Sequence, residues 1–237
     1  MGKLLYTISK KSDGNMSFRY GPAGEALSNR KKFLLNSDIA IEDCVAMSLQ
    51  DSEECVQVST QDKRRGMTAL DGIAADCLVT KEKRLFLFTF VADCLPLVIH
   101  DQNYSVVAVA HISRYNAGER FIENILSTIE RAAQADPERL LCYIGPCIRK
   151  ESYGLPPTVP QASDPAWQPF AKRQTDGNIS LDLAGMTATL LQRNGMLADN
   201  IQDSKINTAT SADHFSHYRD SRSGEPEGRF AIVAGLR

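Results

Sequence analysis

The chain lacks most of what would assign it at a glance. It has four histidines and one tryptophan in 237 residues. Its six cysteines (Cys44, Cys55, Cys77, Cys94, Cys142, Cys147) form no CxxC pair. A chain this long needs no staples, so a disulfide framework is not expected and most thiols should be small buried hydrophobes. No stretch reaches the roughly 18 apolar residues of a membrane span, and Leu4-Leu5-Tyr6 is too short for a signal-peptide core, so the expected location is cytoplasmic. There is no excess of positive charge: 27 Lys plus Arg against 29 Asp plus Glu give a net charge of −2. No nucleic-acid or membrane partner is therefore indicated. The P-loop, GxGxxG, HExxH and GxSxG motifs are all missing, which removes the commonest NTPase, dinucleotide, metalloprotease and α/β-hydrolase readings.

What is there reads as one α/β domain over residues 1–237, with mixed sheets layered between helices. Gly21-Pro22 opens a helix to about Leu35 whose apolar face includes Arg30. A guanidinium there is either a buried ion-pair residue or a site residue. Leu85–Val91 reads as a strand buried on both faces, and Ala117–Ala135 as a strongly amphipathic helix. Residues 154–178, with five prolines, read as a long loop of lid-like length with a short helix near Trp167. A further helix is expected over about Asp182–Gln192, and strands over Leu140–Ile144 and Phe230–Leu236.

Leu95–His100 and Ser105–Ala110 read as a hairpin. With Gln102-Asn103 as the turn, partner numbers add to 205 and Cys94 falls opposite His111. A thiol and an imidazole so placed can share a proton or a metal. Asp93 is a candidate acceptor beside them.

Several ordered segments resemble the YfiH-like, or laccase-domain, family, also called the multicopper polyphenol oxidase or purine nucleoside phosphorylase family. Ala75-Asp76-Cys77-Leu78-Val79-Thr80 resembles its ADALVT segment, and Ala92-Asp93-Cys94-Leu95-Pro96-Leu97 its TADCLP motif. Ile144–Ile148 with Tyr153 is similar to IGPCIG…Y, the helix from Asp182-Leu183 to Gly195 to the family's DL…G helix, and Phe215–Arg229 to FSYRRD…GR. The resemblance runs from about Asn29 to the C-terminus.

It implies an α/β/β/α fold and a zinc site in which Cys94 and His111 are ligands. It also implies action on purine nucleosides, by phosphorolysis with phosphate as co-substrate or by adenosine deamination. Arg30, preserved in an Asn29-Arg30 pair, and Arg219 would meet the substrate, with Asp93 beside them. The first family ligand, the His of QVHG, has no counterpart: Ser48-Leu49-Gln50-Asp51 stands there, which puts Gln50 near the vacant position and predicts weak zinc binding. HAGWRG has become His111-Ile112-Ser113-Arg114-Tyr115-Asn116, and Tyr218 replaces an arginine. Four histidines are too few for a multicopper oxidase. Three other readings stand beside the metalloenzyme: a metal-free Cys94–His111 thiol hydrolase or deamidase, a peptidoglycan-editing hydrolase, and a catalytically decayed binding paralogue.

Overall fold

The computed structural model describes residues 3–237. Two large mixed sheets stack face to face. One carries Leu4–Ile8 (β1), Phe230–Leu236 (β14), Phe86–Val91 (β6), Cys44–Ser48 (β2) and Ile73–Ala74 (β4), in that order. The other carries Ile201–Asp203 (β13), Leu140–Ile144 (β9), Leu95–Asp101 (β7), Val107–Ile112 (β8), Cys77–Thr80 (β5) and Cys55–Gln57 (β3). A small third sheet joins Gly154–Leu155 (β10), Ile179–Leu181 (β12) and Ala171–Arg173 (β11).

Strand alternation decides the layers. Val45 and Met47 of β2, Leu87 of β6, Val98 of β7, Val107 and Val109 of β8 and Ile232 of β14 form one buried cluster between the sheets. Their neighbours in sequence, Cys44, Ala46, Phe86, Phe88, Ala231 and Val233, pack with Phe33 and Leu34 of the helix Ala23–Asn36 (α1). On the far side, Leu97, Ile99, Ala108 and Ala110 pack with Phe121, Ile125 and Ile129 of Glu119–Ala133 (α2) and Leu190 of Leu183–Arg193 (α3). The result is an α/β/β/α stack. Strands covered on both faces carry unbroken apolar runs, as Phe86–Val91 does.

Two expectations are corrected. Residues 154–178 do not form an open loop, since β10 and β11 flank β12 and Trp167 is 2% exposed within the α2/α3 core. In the β7/β8 hairpin, partner numbers add to 207 and Pro96 stands opposite His111. The cause is Asp101, whose carboxylate accepts from the backbone N–H groups of Asn103, Ser105 and Val106 (3.1, 2.5 and 3.1 Å) and holds a longer connection than a two-residue turn. Cys94 and His111 are therefore diagonal neighbours on one face, still within side-chain reach.

Candidate active site

The cleft lies where the layer between the sheets opens, at the C-terminal ends of β2, β6 and β8, and encloses about 290 Å³. Cys94, His111, Arg30 and Gly66 all line it, and Phe18, Tyr20 and Phe90 give it aromatic surface.

His111 is 5% exposed and fixed from behind. Its Nδ1 is 2.8 Å from Asp76 Oδ1, and its backbone N–H donates to the Asp76 carbonyl at 2.7 Å. Asp76 Oδ2 accepts from Gln50 N, Ser52 N and Ser52 Oγ (3.1, 2.9 and 3.0 Å). Burial works against charge on Asp76, but the hydrogen bonds from His111 and Ser52 outweigh it and hold the carboxyl below its usual range. An ionised carboxylate only accepts, so Nδ1 carries a proton and Nε2 is the nitrogen turned to the cleft. Burial also opposes charge on His111, yet the Cys94 sulfur hydrogen-bonded to it, and then Asp76, carry its pKa up to about 10.

The expected site residues divide. Cys94, His111 and Arg30 line one cleft. Gln50 does not reach it, because its side-chain amide turns back to Ser48 O at 2.9 Å. The next residue, Asp51, held at φ 54°, lines the cleft instead. Asp93, at φ 80°, is committed to structure: Oδ1 accepts from Thr208 Oγ1 at 2.6 Å and Oδ2 from Tyr218 N at 2.6 Å. Arg219 is likewise absorbed, donating to Asp220 Oδ1 (2.8 Å) and to the carbonyls of Thr208, Ser211 and His214 (3.0, 2.8 and 2.9 Å). His217 and Arg229 reach the cleft in its place.

Asp51, Asp76 and His111 place ligand atoms within 4.8 Å of one another. With both Asp76 oxygens engaged, the donors left for a cation are an Asp51 carboxylate oxygen and His111 Nε2; Cys94 lines the same cleft, but its sulfur is not part of that group. That set of one oxygen and one nitrogen is of the kind zinc takes, and the carboxylate behind the imidazole is the outer support such sites use. It does not suit a cluster of coppers, which needs more imidazoles than the cleft's two, His111 and His217. Asp51 and Asp76 escaped the sequence reading, yet each had a signal. Asp51 is the acid next to Gln50, and Asp76 precedes the strand that pairs with β8.

Arg30 is 1% exposed and has no carboxylate partner among the described residues. Nε donates to Met16 O at 2.7 Å and Nη1 to Gly66 O and Met67 O at 2.7 and 3.2 Å. Its guanidinium lies 4.0 Å from the Phe18 ring centroid and 5.0 Å from that of Phe88. Burial lowers its pKa to about 10, so it remains a cation at neutral pH. Gly66 makes this possible: at φ +71° it packs where an added Cβ would lie 2.7 Å from Gly72 Cα, which aims its carbonyl at Arg30.

The altered HAGWRG segment is held by Asn116, whose Nδ2 donates to Ser52 O and His111 O at 3.0 and 3.1 Å. It joins the histidine strand to the loop that carries Asp51.

The family described as multi-copper polyphenol oxidoreductase laccase matches residues 9–237. A purine nucleoside phosphorylase of Streptomyces coelicolor is 32% identical over 157 residues, 65% of this chain and 62% of that protein. The purine nucleoside phosphorylase YlmD of Bacillus subtilis is 28% identical over 193 residues, covering 76% and 66%. The chain thus matches less than two thirds of the length of these relatives. Among solved structures, YfiH of Bacillus licheniformis superposes with a TM-score of 0.89 at 23% identity, over 99% of this chain and 93% of that one. YlmD from Geobacillus stearothermophilus gives 0.87 at 21%, over 100% and 92%.

Proposed function

Because the chain belongs to the multi-copper polyphenol oxidoreductase laccase family, and relatives at about 30% identity are named purine nucleoside phosphorylases, we propose that its cleft cleaves a purine nucleoside with phosphate, releasing base and ribose 1-phosphate. The observation that carries this reading is one cleft lined both by a buried arginine without a carboxylate partner among the described residues and by Cys94 and His111. A planar guanidinium whose Nη2 makes no hydrogen bond among the described residues is suited to a phosphate oxygen. Phe18, Phe90 and Tyr20 offer faces on which a purine can stack.

Cys94, His111 through Nε2 and Asp51 would hold a zinc ion, which supplies a Lewis acid for a substrate oxygen. Asp76 keeps His111 in the tautomer that leaves Nε2 free. Asp93 positions Cys94 by tying the turn before β7 to Thr208 and Tyr218.

The test is release of base from inosine, adenosine and guanosine with and without phosphate, followed chromatographically. Phosphate-dependent release is expected, lost by about 10²-fold or more in Cys94→Ala and His111→Ala. Base release absent under all these conditions would overturn the reading; inosine formed from adenosine without phosphate would replace it by deamination.

A second reading rests on the chain Asp76–His111–Cys94, in which Asp76 orients the imidazole through the 2.8 Å contact and the imidazole stands beside the Cys94 thiol as its base. That chain supports metal-free thiol hydrolysis or deamidation, with Asp76 rather than Asp93 as the orienting acid. Activity that resists chelator and is abolished by iodoacetamide would select it.

A further inference from the structure

Behind the cleft, on the opposite face of the six-stranded sheet, Cys55 of β3 and Cys77 of β5 are register partners with sulfurs 2.8 Å apart. Cys77 belongs to the core beneath α2 and Cys55 packs against it. Both are free thiols. We propose that this pair closes to a disulfide under hydrogen peroxide, forming a redox-sensitive staple that fixes the strand following the Asp51 loop.

The geometry needs no backbone movement. Neighbouring strands lie about 4.7–4.9 Å apart, inside the roughly 4.4–6.8 Å Cα separation that a disulfide spans. Two thiols in contact on directly opposed residues already have the required approach. Accessibility fixes the order of events, since Cys77 is fully buried and Cys55 is half-buried. The Cys55 thiolate attacks peroxide, the O–O bond breaks, and the departing hydroxide takes a proton to become water. Cys55 is then a sulfenic acid, oxidised by two electrons while peroxide is reduced. The Cys77 sulfur attacks the Cys55 sulfur, an S–S bond forms as the S–O bond breaks, and the second hydroxide leaves as water with the Cys77 proton.

The position gives the bond a consequence. β3 is a three-residue edge strand with β5 as its only sheet neighbour. The segment before it is tied to Asp76 through Gln50 and Ser52, and to α2 through Asn124 Nδ2 and Glu53 O at 3.0 Å. A covalent link at Cys55 secures the remaining end. Among the described residues the other four cysteines have no sulfur at hydrogen-bonding distance, so closure is specific to this pair.

The experiment treats the full chain with stoichiometric peroxide, alkylates the remaining thiols and maps the peptides, in wild type, in Cys55→Ser and in a Cys94→Ser background that removes the cleft thiol. Free thiols should fall by two from six, with a Cys55–Cys77 linked peptide that dithiothreitol releases. The Tm should rise by about 5–10 °C, as expected for a loop of this size in a chain of this length. Cys55→Ser, a replacement at a half-buried edge position, should show neither the link nor the rise. A sulfinic acid at Cys55 with Cys77 still alkylated, a link between two chains, or six thiols remaining would each overturn the proposal.

Discussion

His111 has one ring nitrogen committed to Asp76 and the other turned toward Cys94, and this placement has a measurable consequence. Its folded pKa, about 10, lies above the ordinary value of 6.5. A raised pKa means the folded state binds the proton more tightly than the unfolded state. The stabilisation is therefore complete below about pH 6.5 and is lost as pH rises toward 10. In metal-free protein, urea midpoints should fall over that window, and His111→Gln should flatten the profile while lowering stability at pH 6. A wild-type profile without slope between pH 7 and 10 would contradict the ion pair. At this scale the sequence was legible in part. Cys94, His111 and Arg30 stand out by chemistry and spacing, but Gln50 and Asp51 differ by a single backbone step. Only the positive φ at Asp51, with the Gln50 amide folded back on Ser48, decides which of them meets the cleft.

The β7/β8 hairpin sets how the Cys94 and His111 side chains meet, and Asp101 sets the hairpin. One carboxylate takes up three backbone N–H groups of the connection, and Asp101 is 5% exposed. Asp101→Ala should cost about 1–3 kcal/mol in denaturant unfolding, because those donors lose a buried acceptor. Asp101→Asn, which keeps an acceptor oxygen, should recover part of it. If the register is what aligns the pair, activity should fall with stability in both variants in that order. Elements with a long apolar period were readable from sequence: α2 spans Glu119–Ala133, β14 spans Phe230–Leu236, and Asp182 caps α3 through Gly185 N at 2.8 Å. Short strands were not. β3, β10, β11 and β13 have two or three residues each, too few for alternation to show, and their pairing is decided by the sheets they join.

Taken as a whole, the molecule puts a cation where neither layer alone could keep one. Arg30 belongs to α1, its carbonyl acceptors to the segments around Met16 and Gly66, and its flanking ring Phe88 to β6. Phe18 closes over it from the loop before the helix. Three carbonyls and three aromatic rings, Phe18, Phe88 and Phe90, offset part of the desolvation cost, but no carboxylate among the described residues neutralises the charge. On the proposed function, an anion in the cleft would supply what is missing and so stabilise the fold. Phosphate at about 100 times its Kd would add about 2.7 kcal/mol, raising Tm by about 5–10 °C for a chain of this length. Arg30→Lys retains the charge and loses the fork, so its shift should be less than half that of wild type. Arg30→Met should show none and should also unfold earlier, since the carbonyls of Met16, Gly66 and Met67 lose their donors. Chloride at equal ionic strength separates screening from binding. A phosphate shift that survives in Arg30→Met would move the anion site to Arg229 or Arg19, which also line the cleft, and would leave Arg30 as the post that holds α1 against the five-stranded sheet.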